Sequence, residues 1–412
     1  MKLKQNIINF LRWSQKYTQT DMVYVAKGGF WWIFGEVVVA GISFLTMVAF
    51  SHWVPKEIFG VYQYIISTVA ILAIFTLPGM GNALIRAVAK GKEGMLWLCA
   101  KTKFKWSLIG VGGCLAISGW YFLHQNFILG SSFLIASFLF PIPRISNSLF
   151  NFWQGRKRFD LQAKYSIIIN ILEAAVFIPI LFLTNNLIII ILAYFISRSV
   201  FRALFFKLTL KRVKNQETDE ETLSFGKHLT LMQAIGLFAQ QIDKVIIWQF
   251  LGPIAVATYS FAQIPLQRIQ GLIPISPLAL PKLSEKNIKE IKKGIFKKFS
   301  RLFLVSIPLT AFLILIAPLI YKILFPQYLE SIPYFQVLAL TLVFLPFSLL
   351  GTSLVAEMRK KELYITSVVT PILKIILFLI LIPFYGIWGI IFATLIAQIF
   401  SSGLTLYFFK RI

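Results

Sequence analysis

Residues 282–325 read KLSEKNIKEIKKGIFKKFSRLFLVSIPLTAFLILIAPLIYKILF. The opening part, Lys282 to Arg301, holds eight cations and only two acids, Glu285 and Glu290. The run that follows, 302–325, carries no charge until Lys322, close to its far end. A helix that crosses a bilayer needs roughly 20 predominantly apolar residues, and this run supplies them. Dense Lys and Arg on one flank and almost none on the other also fix an orientation, because cytoplasmic loops are enriched in both.

Working outward from this stretch, the same pair of features repeats along all 412 residues. Twelve apolar runs are expected to span the membrane: 28–50, 61–83, 104–123, 128–152, 165–183, 187–208, 229–250, 254–280, 302–325, 332–355, 364–383 and 386–408. Of the 41 Lys and Arg, 33 lie in the termini and in alternate loops on one side, and the opposite loops hold only Lys56 and Lys322. Both termini and all the basic loops are therefore expected to be cytoplasmic. The chain is 58% hydrophobic and only 14% charged, with a mean hydropathy of +0.76. Soluble domains carry about 25% charged residues, so a soluble protein is excluded. The net charge of +25 would suggest nucleic acid in a soluble chain. Here membrane orientation accounts for it.

The runs divide the chain into four parts. Residues 1–27 are expected to form a cytoplasmic amphipathic N-terminus lying on the membrane surface, with Leu3, Ile7 and Leu11 at helical spacing. Residues 28–210 form a first six-helix bundle, 211–228 a cytoplasmic linker with the acids Glu217, Asp219, Glu220 and Glu221, and 229–412 a second bundle. The halves look alike at their starts. Trp53-Val54-Pro55, Phe59-Gly60 and Tyr62 in the first correspond to Leu251-Gly252-Pro253 and Tyr259 in the second. A repeated half is the usual plan of a transporter, with its substrate site between the halves. Cys99 and Cys114 have no metal-ligand spacing, and His52, His124 and His228 have no partner at nucleophile or metal spacing.

These segments resemble the polysaccharide-export flippases of the MATE-like (MOP) superfamily, the Wzx-type O-antigen and capsule-repeat flippases. The likeness rests on 55–62, on Leu77-Pro78-Gly79-Met80-Gly81-Asn82, and on Gln241-Ile242-Asp243-Lys244, Leu251-Gly252-Pro253, Tyr259-Ser260 and Leu280-Pro281-Lys282. It implies an all-α membrane fold of two pseudo-symmetric six-helix halves. It also implies an undecaprenyl-pyrophosphate-linked oligosaccharide as substrate, moved from the inner to the outer leaflet of the bacterial inner membrane. A polymerase and a chain-length regulator would be the associated partners.

Charges inside the spans are costly and mark function by default. The cations are Arg144, Arg198, Arg202, Lys244, Arg268 and Lys374, against the acids Glu36, Glu173 and Asp243. The excess of three cations suits a cavity that receives a pyrophosphate, which Arg can grip bidentately. Arg144, Arg268, Lys374, Lys244 and Arg198 are the candidate headgroup ligands, whereas Arg202, nearer the cytoplasm, is expected to snorkel. Polar stripes at helical spacing would meet the sugar: Asn147 and Asn151 with Arg144, Gln240 on the seventh span, Gln263 and Gln267 on the eighth, and Gln398 on the twelfth. Pro141 and Pro143 should kink the fourth span. Asp243, Glu36 or Glu173 would carry a coupling H⁺ or Na⁺. No other cofactor is expected.

Two other readings are open on the sequence. A drug/cation antiporter of the same superfamily would favour an anionic cavity. A repeat-unit polymerase or lipid-dependent glycosyltransferase would need a sizeable outer loop, and the outer loops here are short, so a non-enzyme is expected.

Overall fold

The computed structural model describes residues 22–273, 288–357 and 359–411. The expected N-terminal amphipathic helix, the Leu280-Pro281-Lys282 motif and residues 282–287 of the basic loop therefore lie outside the described residues. The rest of that loop belongs to the helix Ile288–Leu324. The remainder is almost entirely helical. Ten stretches are long and apolar enough to cross a membrane, and a bent pair, Pro326–Phe344 with Phe347–Val355, forms another. One of the ten, Glu220–Gly271, is 52 residues long. It folds back on itself. On a straight helix Asp243 and Gln263 would lie ~30 Å apart, yet Gln263 Nε2 donates to Asp243 Oδ2 at 2.7 Å. The reversal is at Gly252, whose φ of 79° and ψ of −173° suit a residue without a Cβ, followed by Pro253. Two crossings joined by this turn bring the total to twelve, as the charge pattern implies.

Several crossings are interrupted. The second runs Lys56–Leu72, tightens through Ala73–Thr76, turns at Leu77 in the left-handed region, and resumes as Met80–Ala89. The fourth breaks at Phe140 and Asn147, on either side of the segment holding Pro141 and Pro143. The seventh breaks at Gln240–Gln241. It also begins earlier than the apolar run suggests. Its helix starts at Glu220, so Glu220 and Glu221 occupy the first turn, where the helix dipole favours acids.

The two halves meet chiefly along the second span, which packs against Ile242–Gly271. Gly60 makes this approach possible, because a Cβ there would overlap the Pro253 carbonyl. Beyond it, at the end remote from the termini, aromatic rings close the space between the halves. Phe59 lies 4.9 Å from Phe261, which stacks on Tyr328 at 3.5 Å and meets Phe325 at 5.3 Å. All four are at most 1% exposed. An ion pair, Lys56 to Glu330, and a hydrogen bond from Ser51 Oγ to the Leu324 carbonyl (3.2 Å) complete the seal.

At the opposite end, the linker is tied to the first half. Arg156 grips the Glu93 carboxylate with both Nε (2.7 Å) and a terminal nitrogen, and the Lys214 amide N–H donates to it as well. Asn215 donates to the Gly91 carbonyl and accepts from the Glu93 N–H, while Lys92 pairs with Asp219 at 3.0 Å. Burial alone would raise the Glu93 pKa. The Arg156 guanidinium and the Lys214 N–H outweigh it and hold the carboxyl below its ordinary value of 4.5. A folded value below the unfolded one stabilises the protein above that pH, and the gain is lost as the pH falls through the folded value. Glu93→Gln should therefore lower thermal stability by about 1–3 kcal/mol at neutral pH. The difference from wild type should shrink on acidification below pH 4.5. Melting curves at neutral and acid pH would check both.

Candidate functional site

The charges within the spans fall into two groups. In the first half, Glu173 on the fifth span (Phe159–Leu183) is 6% exposed and faces the sixth span (Leu187–Leu210). Arg202 holds its carboxylate with two hydrogen bonds, Nε to Oε1 at 2.6 Å and a terminal nitrogen to Oε2 at 3.0 Å. A third nitrogen of Arg202 donates to Asn147 Oδ1 at 3.0 Å. This corrects the snorkelling expectation: Arg202 turns inward because a carboxylate on the neighbouring helix is a better partner than a distant headgroup.

With Glu173 taken by Arg202, Arg198 is left at 3.8 Å from it, its guanidinium lying over the Tyr194 ring at 4.1 Å. Both line a cavity of about 140 Å³ with Phe59, Tyr62 and Asn170, and Arg268 enters it from the eighth span. Arg268 is exposed to this space. Among the described residues it makes no hydrogen bond or ion pair, though Arg198 and Glu36 are both close enough to act on it electrostatically. Glu36, on the first span, is exposed beside a neighbouring cavity lined by Trp32 and Gln162. These cavities thus hold one acid shared by Arg202 and Arg198, one open acid, Glu36, and one guanidinium, Arg268, with no ion pair among the described residues.

In the second half, Asp243 is fully buried. Its oxygens accept from the Lys244 N–H (2.8 Å), the Tyr259 hydroxyl (2.9 Å) and Gln263 Nε2 (2.7 Å). Lys244, 4% exposed, and Lys374, over the Phe378 ring at 5.1 Å, supply the nearby positive charge. Lys374 is thereby grouped with Asp243 and not with Arg268. Gln267 is exposed on the eighth span and Gln398 half-buried on the twelfth, without a hydrogen bond to another described residue. Thr394 and Thr405, on the same face as Gln398, satisfy their own helix carbonyls at 2.9 and 2.8 Å.

A further cavity, of about 260 Å³, brings together Arg144, Asn147, Asn151, Gln240, Gln241 and Lys103. Lys103 was counted with a basic loop in the sequence. Its helix is Met95–Leu123, so it lies two turns inside, 4% exposed and donating to Ser148 Oγ at 3.0 Å. The signal was the apolar run Met95-Leu96-Trp97-Leu98-Cys99-Ala100, which extends the third span past Lys101. Arg144 connects this cavity to Arg198 through a smaller one that both line.

Solved transporter structures share this fold of two facing bundles. A lipid II flippase, MurJ, in an inward closed conformation is similar at a TM-score of 0.68 and 18% identity, over 93% of this chain and 87% of that one. An inward-facing multidrug resistance MATE family transporter of the MOP superfamily is similar at 0.64 and 14% identity, over 92% and 94%. Within that fold the chain belongs to the polysaccharide biosynthesis protein family, whose profile matches residues 25–286. An uncharacterized membrane protein of Methanocaldococcus jannaschii is 23% identical over 429 aligned positions, covering 94% of this chain and 84% of the relative.

Proposed function

We propose that this protein is a flippase that carries undecaprenyl-pyrophosphate-linked oligosaccharide repeat units across the bacterial inner membrane, from the cytoplasmic to the outer leaflet. The observation that carries the reading is that Arg198 and Arg268 face one cavity from opposite halves, while its lining acid, Glu173, is bonded by Arg202 and pairs with Arg198 only at 3.8 Å. A pyrophosphate supplies the charge this pair lacks, and bidentate guanidiniums suit it. The family name and the likeness to a lipid II flippase support a lipid-linked saccharide. With the termini taken as cytoplasmic, the aromatic seal lies at the outer surface, so the cavity takes cargo from the cytoplasmic leaflet. Rocking of the halves about the second span would then break the seal and release it.

Of the three candidate coupling acids, Glu36 suits H⁺ or Na⁺ best. Glu173 is held by Arg202, and the Asp243 carboxylate is surrounded by donors, which suit an anion and not a metal ion. A cation antiporter is disfavoured by the same guanidiniums.

The test is a deletion strain in which lipid-linked oligosaccharide in each leaflet is measured with an impermeant lectin or glycosidase. Accumulation in the inner leaflet, reversed by the wild-type gene, is expected. Repeat units that still reach the outer leaflet but stay unpolymerised would overturn the flippase reading in favour of an enzyme.

A further inference from the structure

The cavity around Lys103 and Arg144 shares no lining residue with the one that holds Arg198 and Arg268. Three interrupted helices converge on it: the second span at Leu77, the fourth at Asn147, the seventh at Gln240–Gln241. Leu77 is left-handed, while Asn147, Gln240 and Gln241 keep right-handed helical dihedrals. Non-helical backbone is tolerated at membrane depth where it is buried in protein or lines a cavity. The breaks therefore form part of a built space, several times the roughly 30 Å³ share of one water molecule.

Its charge is unbalanced. Lys103 has one neutral acceptor, the Ser148 hydroxyl, and Arg144 makes no hydrogen bond or ion pair among the described residues. No carboxylate lines the cavity. Lys103 is buried and Arg144 is open to the cavity, and cations at membrane depth without an acid are costly unless an anion joins them. Apart from Thr76, the other polar side chains of the wall are carboxamides: Asn147, Asn151, Gln240 and Gln241. Such groups donate to and accept from hydroxyls. The wall also belongs to both halves, because Leu237, Gln240 and Gln241 come from the seventh span and the other residues from the first bundle.

We propose that this cavity is a second anion site, which binds a sugar bearing an oxyanion (a carboxylate or a phosphate) while Arg198 and Arg268 hold the pyrophosphate of the same cargo. The assignment rests on the flippase reading. The cargo bridges the halves here, with the acid on Lys103 and Arg144 and the hydroxyls among the amides.

Full-length protein in nanodiscs would be titrated with D-glucuronate, D-glucose 6-phosphate, D-glucose and inorganic pyrophosphate, reading intrinsic tryptophan fluorescence or heat. At least one acidic sugar should bind about tenfold or more tightly than glucose, the share expected of a charge-assisted hydrogen bond. Lys103→Met and Arg144→Gln should each remove that advantage and leave pyrophosphate binding intact, and Lys103→Arg should retain it. Arg268→Ala should do the reverse, losing pyrophosphate and keeping the acidic sugar. Acidic sugars that bind no better than glucose, or that bind Lys103→Met as they bind wild type, would overturn the proposal. Loss of pyrophosphate binding by Lys103→Met alone would also overturn it, by making this the phosphate site. If pyrophosphate binds none of the proteins while the acidic-sugar arm behaves as expected, the flippase reading fails and the sugar site stands.

Discussion

Arg268→Ala should cut export of surface polysaccharide by at least about tenfold while leaving the protein in the membrane at its normal level. The side chain is exposed to the cavity and, among the described residues, has no hydrogen bond or ion pair to lose. Its removal leaves no buried partner behind. What it takes away is a charge-assisted contact to the cargo, worth roughly 1.5–3 kcal/mol, or about 10- to 150-fold. Arg268→Lys keeps the charge but not the planar fork, and should restore only part of the flux. Surface polysaccharide and membrane abundance, measured together, decide the matter. Full export by Arg268→Ala would remove this residue from the site.

Gly60→Val should have an effect of similar size for a different reason. A side chain at this position meets the Pro253 backbone carbonyl, which cannot rotate out of the way as a flexible side chain could. The second span must move off the eighth, at an overpacking cost of about 1–3 kcal/mol. The seal of Phe59, Phe261, Phe325 and Tyr328 lies directly beyond. Ser331, fully buried and donating to the Thr258 carbonyl at 2.9 Å, offers a place to watch it. A cysteine there, with the native Cys99 and Cys114 replaced, should be shielded from an impermeant maleimide in the parent protein and labelled when Gly60→Val is added. Export should fall at the same time. Equal labelling in both would mean that the crossing tolerates the extra atoms and that the seal does not depend on it.

The fold was legible because the membrane imposes it. Apolar runs of fixed length and a one-sided distribution of Lys and Arg survive any detail of packing, and the hairpin at Leu251-Gly252-Pro253 could be placed to within a residue. Helix ends were less clear. Glu220 and Glu221 read as linker because they are charged, whereas a helix dipole welcomes acids in its first turn. The partnerships of the buried charges were not legible at all. Arg202 and Glu173 are 29 residues apart, and their pairing depends on how the fifth and sixth spans rotate against each other. The same is true of Lys374, which the sequence places among the candidate headgroup ligands with Arg144, Arg198, Lys244 and Arg268. The structure sets it beside Asp243 and Lys244, apart from Arg268. Lys103 was hidden by a boundary, being read as loop when the third helix had already begun.

The hairpin at Gly252 also bears on how the protein is made. An aspartate near the middle of a lone apolar segment costs about 2.5–3.5 kcal/mol when the segment leaves the translocon for lipid. The turn at Gly252–Pro253 leaves almost nothing to thread between the seventh and eighth segments. Tyr259 and Gln263, which satisfy Asp243, emerge from the ribosome only 16 and 20 residues after it. The two segments are therefore expected to partition into the bilayer as a pair, with the carboxylate masked by its neighbours on the returning helix.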